Sequence, residues 1–176
     1  MIPQSLVGPH VIEELVKVAS TTPQGCIVEV GVFKGGTAWY LSQIAEKQHR
    51  QIFLFDTFTG IPYKGEFDPI TPGTFNETSF EEVQQAIPYA KVVQGIFPQS
   101  VEKQEINLPD VAFVHLDCDQ YQSIIESAKF LSPLMVKGGI MWFDDYGCLE
   151  GATRAVEELF KGRIEEAACG KVFVRF

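Results

Sequence analysis

The stretch that most constrains the fold runs from Cys26 to Tyr40, with the sequence CIVEVGVFKGGTAWY. Its first residues are apolar and partly β-branched, which is typical of a strand buried on both faces of a parallel sheet. Glycines then stand where the backbone turns sharply or could lie against a ligand, namely Gly31, Gly35 and Gly36. A helix follows, with Thr37 as its expected N-terminal cap. Strand, glycine turn and helix N-terminus together predict a nucleotide-type site at the carboxyl end of a sheet.

The glycine spacing matches neither of the two common phosphate-binding loops. A dinucleotide fingerprint would read G-x-G-x-x-G, and Phe33 stands where its second glycine would fall. A Walker loop would end in G-K-[ST], whereas Lys34 precedes the paired glycines. Glu29 lies one residue before the strand ends, where a buried charge is costly unless a ligand or a donor meets it. The alternative interpretation is a tight turn that holds no ligand.

Strand-like and helical patterns alternate along the rest of the chain. Further strands are expected over 51–56, 91–94, 109–116 and 140–143, and a closing hairpin over 163–176. Helices are expected over 7–19, 37–48, 121–131 and 151–160, and a capping box at 79–82 opens another. The alternation predicts an α/β fold whose parallel sheet carries helices on both faces and ends in one antiparallel strand. One domain is expected over 1–176, with an N-terminal helix within 1–24.

The charge of the chain disfavours two classes of partner. The net charge is −9 and the isoelectric point about 4.8, which argues against a nucleic-acid surface and against an anionic membrane face. A small molecule is therefore the expected partner. The four cysteines form no C-x-x-C pair, and no stretch reaches the 18 or so apolar residues of a membrane span. Together with the lack of an N-terminal leader pattern, this predicts a cytoplasmic protein with reduced cysteines.

The stretch over 57–79 is too long and too broken for a plain connector. It mixes glycines and prolines with four aromatic residues, which are Phe58, Tyr63, Phe67 and Phe75. Long loops inside compact domains are often lids or binding loops. We therefore predict a lid loop here, with an ordered surface loop packed on its own hydrophobic cluster as the alternative.

Carboxylates stand where several of the predicted strands end. Asp56 ends the second strand, where an acid commonly binds a ribose diol, and its alternative role is to cap the turn before Thr57. Two further strands end in acid pairs, Asp117 with Asp119 and Asp144 with Asp145. Neighbouring strand ends would bring these acids together, and their repulsion requires protons or a cation. All-oxygen ligands favour Mg²⁺, Ca²⁺ or Mn²⁺, although helix capping is the alternative for both pairs. His115 could face the same way and act as a base.

Five motifs in order resemble the macrocin O-methyltransferase family of class I S-adenosylmethionine-dependent enzymes. They are E-V-G-V-F-K-G-G-T, F-D-T-F-T-G-I-P, Q-G-I-F-P, H-L-D-C-D-Q-Y-x-S and F-D-D-Y-G, and the resemblance runs from about Gly25 to the C-terminus. It implies a Rossmann-like three-layer sandwich with a mostly parallel seven-stranded sheet and a reversed last strand. It also implies methylation of a hydroxyl on a small molecule, such as a sugar or glycosylated metabolite, with a divalent metal such as Mg²⁺.

The resemblance also implies residue roles. Glu29, Gly31 and Thr37 would line the methionine side of S-adenosylmethionine, Asp56 would hold the ribose hydroxyls, and Gly95 to Phe97 would flank the adenine. The whole expected cofactor-binding set is Glu29, Gly31, Val32, Gly35, Gly36, Thr37, Asp56, Thr57, Gly95, Ile96, Phe97 and Asp117. The expected metal ligands are Asp117, Asp144 and Asp145. The candidates for catalytic acid–base work are Asp117, Asp119 and His115.

Family members commonly carry more sequence before the first strand, which helps to form the substrate lid and oligomer contacts. We therefore expect the acceptor to be recognised by residues 57–79 or by a partner subunit of a homo-oligomer. Two other functions are weighed against methyl transfer. A nicotinamide-dependent oxidoreductase is disfavoured by Phe33 in the glycine loop, and a non-catalytic nucleotide-binding domain is disfavoured by acid pairs that repel one another.

Overall fold

The computed structural model describes residues 2–176; Met1, which the predicted domain over 1–176 includes, lies outside this range. A seven-stranded mixed sheet forms the centre of the described part. The spatial order of the strands is β3-β2-β1-β4-β5-β7-β6. They are β1 Cys26–Val30, β2 Ile52–Asp56, β3 Lys91–Gln94, β4 Val111–Leu116, β5 Met135–Phe143, β6 Ile164–Glu166 and β7 Val172–Arg175. The pairings from β3 to β5 are parallel, whereas β7 is antiparallel to both β5 and β6. The predicted fold class is confirmed.

Helices cover both faces of this sheet. They are α1 Pro9–Ser20, α2 Gly36–Lys47, α3 Phe80–Ala86, α4 Gln99–Lys103, α5 Tyr121–Leu131 and α6 Glu150–Phe160, with a 3₁₀ turn over Ser132–Leu134. One buried apolar cluster joins the sheet to α5 and α6, and a second joins it to α1, α2 and α3. The molecule is therefore a three-layer sandwich. In the described residues, 2–176, no helix has both the length and the apolar character needed to span a membrane.

The central strands contribute side chains to both clusters because successive side chains of a strand point to opposite faces of the sheet. Val28, Val114 and Met141 are aligned across β1, β4 and β5 and belong to the cluster under α5 and α6. The residues that precede them are aligned in the same way and belong to the opposite cluster, namely Ile27, Phe113 and Ile140. This two-sided burial explains the nearly continuous apolar runs of the sequence.

Two local predictions differ from the structure, and one short helix was not predicted. Thr37 is not the helix cap, because α2 begins after Gly35, whose left-handed backbone (φ 86°) glycine adopts without strain. Strand β5 begins five residues before the expected 140, because Gly138 and Gly139 pair with the backbone of Phe176 through bonds of 2.7 and 3.0 Å. The short helix α4 was not expected from the sequence.

Candidate active site

A cavity of about 280 Å³ lies at the carboxyl edge of the parallel strands. Its walls come from the glycine turn after β1, the ends of β2, β4 and β5, the turn after β3 and the loop over 57–79. Most predicted site residues line it, namely Glu29, Gly31, Val32, Gly36, Thr37, Asp56, Thr57, Gly95, Ile96, Phe97, Asp117, Asp119, Asp144 and Asp145. Of the predicted set, Gly35 and His115 are outside the wall that the described residues form.

Two glycines of the turn are required by close backbone contacts. A Cβ atom at Gly31 would lie 1.8 Å from the carbonyl oxygen of Asp117, and Gly31 also has a φ of 90°. A Cβ atom at Gly36 would lie 2.5 Å from the backbone of Ser5. The glycine turn therefore lets the end of β4 and the N-terminal segment approach the same point.

Asp56 organises the glycine turn from the neighbouring strand. Its Oδ2 atom accepts hydrogen bonds from the backbone N–H groups of Val32 and Phe33 at 2.7 and 2.8 Å. Its Oδ1 atom accepts from the N–H of Phe58 at 2.8 Å. A carboxylate can accept about four hydrogen bonds, so these three leave room for roughly one more. Both the turn role and the predicted ribose contact are compatible with this geometry.

Three carboxylates meet at the ends of β4 and β5. Asp117, Asp144 and Asp145 each place one oxygen atom within 4.8 Å of the others. The two strands are neighbours, and the N–H of Asp144 donates to the carbonyl of Leu116 at 3.0 Å. Asp119 lies beside this group, and its backbone N–H donates to Oδ2 of Asp145 at 3.1 Å. Both members of the second acid pair thus lie beside Asp117.

Burial and mutual repulsion perturb these acids. Burial, with the neighbouring carboxylates as a second cause, raises the pKa of Asp119 to about 7 and that of Asp145 to about 6. The pKa of Asp117 is raised well above its usual range by burial first and then by the charges of Asp144 and Asp145. The ionised cluster therefore needs additional positive charge.

Two cationic groups lie behind the cluster. The Nζ atom of Lys171, on the hairpin before β7, donates to Oδ2 of Asp144 at 2.9 Å. On the other side, Nε2 of His115 lies 3.9 Å from Oδ1 of Asp144, and Nδ1 lies 2.8 Å from Oε1 of Glu29. Although burial opposes it, the carboxylates of Asp144 and Glu29 raise the pKa of His115 to about 10. Despite its own burial, Asp144 has a lowered pKa because His115 and Lys171 stabilise its charge.

The position of His115 does not suit the predicted general base. Its side chain is 0% exposed and lies between Glu29 and Asp144, behind the wall of the cavity. A base must reach the proton that it removes, directly or through one water. The geometry instead pairs His115 with Glu29 through a hydrogen bond and places its charge near Asp144.

The sequence interpretation missed the N-terminal segment as part of the site. Gln4, Ser5, Leu6 and Val7 line the cavity, and Oγ of Ser5 lies 3.2 Å from Oγ1 of Thr37. Their apolar and polar residues alternate irregularly before α1, so no periodic pattern marks them. The only sequence signal was Gly36, whose missing side chain makes room for Ser5.

Comparison with known proteins places the chain in a family. A sequence model described as "Macrocin-O-methyltransferase (TylF)" matches residues 5–166. The chain belongs to the macrocin O-methyltransferase family. This member is accordingly an O-methyltransferase that uses S-adenosylmethionine. A comparison with curated protein sequences gave no match.

Solved structures similar to this family member include several methyltransferases. The O-methyltransferase NovP has a TM-score of 0.81 and 20% identity, over 97% of this chain and 81% of NovP. The calicheamicin methyltransferase CalS11 has a TM-score of 0.78 and 18% identity, over 95% of this chain and 77% of CalS11. An O-methyltransferase from Bacillus cereus in complex with SAH has a TM-score of 0.65 and 13% identity, over 99% and 84% of the two chains. At these identities the likeness establishes the fold.

Proposed function

We propose that this family member methylates a hydroxyl of a small, uncharged or cationic molecule, such as a sugar or glycosylated metabolite, and that a divalent cation assists. The observation that carries the proposal is the position of Asp117. Its backbone oxygen lies against Gly31 of the glycine turn, and its side chain belongs to the three-carboxylate group. One residue thus joins the proposed cofactor pocket to the proposed cation site.

The cofactor would lie along the glycine turn. Glu29, Gly31 and Thr37 are proposed to face its methionine part, Asp56 its ribose, and the turn over 95–97 its adenine. All of these residues line one cavity. The sulfonium is positive, and the nearby carboxylates would stabilise it more than they would stabilise neutral S-adenosylhomocysteine.

The donor set fits a hard divalent cation. Asp117, Asp144 and Asp145 would hold it through carboxylate oxygens, the ligands that Mg²⁺ prefers. When bound, the cation would lower the pKa of a coordinated hydroxyl and orient it. Asp119 lines the cavity beside this group and is our proposed general base, with Asp117 as the second candidate. Lys171 holds Asp144 in place from behind.

The charge of the cavity wall restricts the acceptor. Among the described residues, 2–176, its wall contains no Lys, Arg or His side chain, and it contains six carboxylates. They are Glu29, Asp56, Asp117, Asp119, Asp144 and Asp145. An anionic group would be repelled from such a wall, whereas sugar hydroxyls can donate hydrogen bonds to it. CalS11 is described as a TDP-rhamnose 3'-O-methyltransferase, which agrees with a sugar hydroxyl as the acceptor. The diphosphate of TDP-rhamnose is an anionic group that the acidic wall disfavours, so the support concerns the sugar hydroxyl alone.

Calorimetry and a methyl-transfer assay test the proposal. The titrations use S-adenosylhomocysteine, and Mg²⁺ in a separate titration. The assay uses labelled S-adenosylmethionine with a panel of methyl glycosides of 6-deoxyhexoses. We expect cofactor binding with and without EDTA, a separate Mg²⁺ event, and turnover that EDTA suppresses. Turnover that is insensitive to EDTA would refute the role of the cation.

A double variant tests the ligand set. Asp144→Asn with Asp145→Asn should abolish the Mg²⁺ event and leave the affinity for S-adenosylhomocysteine within about threefold, a change of less than ~1 kcal/mol. The matched control is Glu165→Gln with Glu166→Gln, which removes two adjacent exposed acids from β6 at the far edge of the sheet. If the Asn variant loses cofactor affinity as well, the two residues are structural caps instead of ligands.

A further inference from the structure

The loop over 57–79 is folded onto itself and docked on two helices. Ile61 and Thr74 are joined by a backbone hydrogen bond of 2.9 Å, and a second bond of 2.9 Å joins Gly73 to Ile61. The inner part of this loop lines the cavity through Gly60, Ile61, Pro62 and Phe75. Its outer part, residues 63–68, contacts the first turns of α5 and α6.

Gln120 makes the first of these contacts. Its side chain is fully buried, and its amide pairs with both backbone groups of one loop residue. Nε2 donates to the carbonyl of Tyr63 at 2.7 Å, and Oε1 accepts from the N–H of Tyr63 at 3.3 Å. The backbone N–H of Gln120 donates to the carbonyl of Cys118 at 2.6 Å. Gln120 therefore links the loop directly to the acid turn over 117–119.

Asp68 makes the second contact from the loop side. Its Oδ1 atom accepts from the N–H of Tyr121, the first residue of α5, at 3.0 Å. A Cβ atom on Gly151, in the first turn of α6, would lie 1.9 Å from the same oxygen. A carboxylate is favourable at a helix N-terminus, where backbone N–H groups are free. The carboxylate of Asp68 thus fits at the N-terminus of α5 and beside the first turn of α6.

The residues that neighbour Asp68 in the loop are also closely packed. A Cβ atom on Gly65 would lie 2.0 Å from Oδ2 of Asp68, so that glycine also makes room for the carboxylate. The ring of Phe67 packs edge-on against Tyr121 at a centroid distance of 5.6 Å. The guanidinium of Arg154 lies 4.2 Å above the ring of Phe67. Polar and aromatic contacts thus hold the same short segment.

We propose that Gln120 and Asp68 form a latch that positions the loop as the acceptor-side wall of the cavity. Both are positioning residues, since they touch the loop and the helices instead of the reacting atoms. Because Gln120 follows the acid turn directly, the latch sets the distance between the loop wall and Asp119. The inference rests on the proposed function and on the predicted role of residues 57–79 in acceptor binding.

Hydrogen exchange measured by mass spectrometry tests the latch without an acceptor. Gln120→Ala should speed exchange of the amides over 61–75 by about tenfold or more, while those of β1 and β4 keep their protection. The matched control is Glu66→Gln, which changes an exposed charge on the same loop. Affinity for S-adenosylhomocysteine should stay within about threefold of the parent protein, because the glycine turn is untouched.

Gly151→Ala provides a second variant, which adds a methyl group and, unlike Gln120→Ala, removes no buried side chain. Its new methyl group would displace the carboxylate of Asp68, whereas alanine itself favours the helix. We expect faster exchange over 61–75 in this variant too. Unchanged exchange over 61–75 in both Gln120→Ala and Gly151→Ala would overturn the proposal.

Steady-state kinetics with the methyl glycoside panel separate positioning from general structural damage. Loss of the latch should raise KM for the glycoside by about fivefold or more, because the loop wall is no longer fixed. It should leave kcat within about twofold, because Asp117, Asp119, Asp144 and Asp145 keep their positions. An equal loss of kcat in both variants, with KM unchanged, would contradict the latch. If no glycoside is turned over by any variant or by the parent, the proposed acceptor class fails, and the exchange measurement still decides the latch.

Discussion

The contact between Gly31 and Asp117 allows a quantitative test of how the glycine turn meets the three-carboxylate group. In Gly31→Ala, the new Cβ atom would lie 1.8 Å from the carbonyl oxygen of Asp117, where real contacts stay above 3.0 Å. The end of β4 must therefore move by more than about 1 Å, or the turn must. Either movement separates the glycine turn from the three-carboxylate group.

The energetic cost has two parts that a matched variant separates. Residue 31 has a φ of 90°, and a left-handed conformation costs a residue with a Cβ atom about 1–2 kcal/mol. Overpacking adds about 1–3 kcal/mol. Gly162→Ala has the first cost alone, because Gly162 has a φ of 80° and, among the described residues, nothing within 4 Å of an added Cβ atom. We expect losses of about 2–5 kcal/mol in Gly31→Ala and about 1–2 kcal/mol in Gly162→Ala.

Urea unfolding and calorimetry check this prediction. The free energy of unfolding is taken from each urea transition, with the slope compared to confirm two-state behaviour. In Gly31→Ala, the affinity for S-adenosylhomocysteine should fall about tenfold or more, which corresponds to ~1.4 kcal/mol, while Gly162→Ala keeps the parent affinity. Equal stability of the two variants, together with parent-like binding by Gly31→Ala, would refute the reasoning.

Two further predictions concern the cations behind the acids. Lys171→Met removes the lysine partner of the buried Asp144 carboxylate, so the free energy of unfolding should fall by about 1–3 kcal/mol. Added Mg²⁺ should then raise the Tm of this variant more than that of the parent, because the cation would supply the positive charge that Lys171 has lost; an equal rise would contradict this compensation. His115→Gln removes the partner of fully buried Glu29 and should cost about 3–5 kcal/mol in urea unfolding. A loss below about 1 kcal/mol would show that the pair contributes little.

Much of the framework could be predicted because each signal is local in sequence. Strand β1 and the glycine turn are contiguous, and the acid pairs directly follow β4 and β5. Strand adjacency, supplied by the doubly wound pattern, then brings Asp117 to Asp144 and Asp145. The fold class and the acid group could therefore be predicted from three signals: the hydrophobic periodicity, the residues that end strands and helices, and the order of the strands in the sheet.

The parts that could not be predicted depend on contacts between distant segments. Ser5 reaches the cavity only because Gly36 makes room for it, and Lys171 reaches Asp144 only because β7 pairs beside β5. Gln120 directly precedes the helix predicted over 121–131, and its side chain pairs with a loop backbone 57 residues away. Such pairings follow from tertiary packing, which neither propensity nor periodicity encodes.

The charges around the cavity favour ligands that bring positive charge. Six carboxylates line the wall, and Lys171 and His115 contribute two positive groups from behind. Burial and repulsion hold the pKa values of Asp119 and Asp145 above their usual range, so the apo protein keeps them ionised only at an energetic cost. A ligand that brings positive charge relieves this cost, and its binding is stronger by the same amount. A sulfonium cofactor and the proposed divalent cation both have this property, whereas the neutral product S-adenosylhomocysteine has lost it. If the methyl donor binds in this cavity as proposed, the electrostatics that attract it would therefore also favour release of S-adenosylhomocysteine.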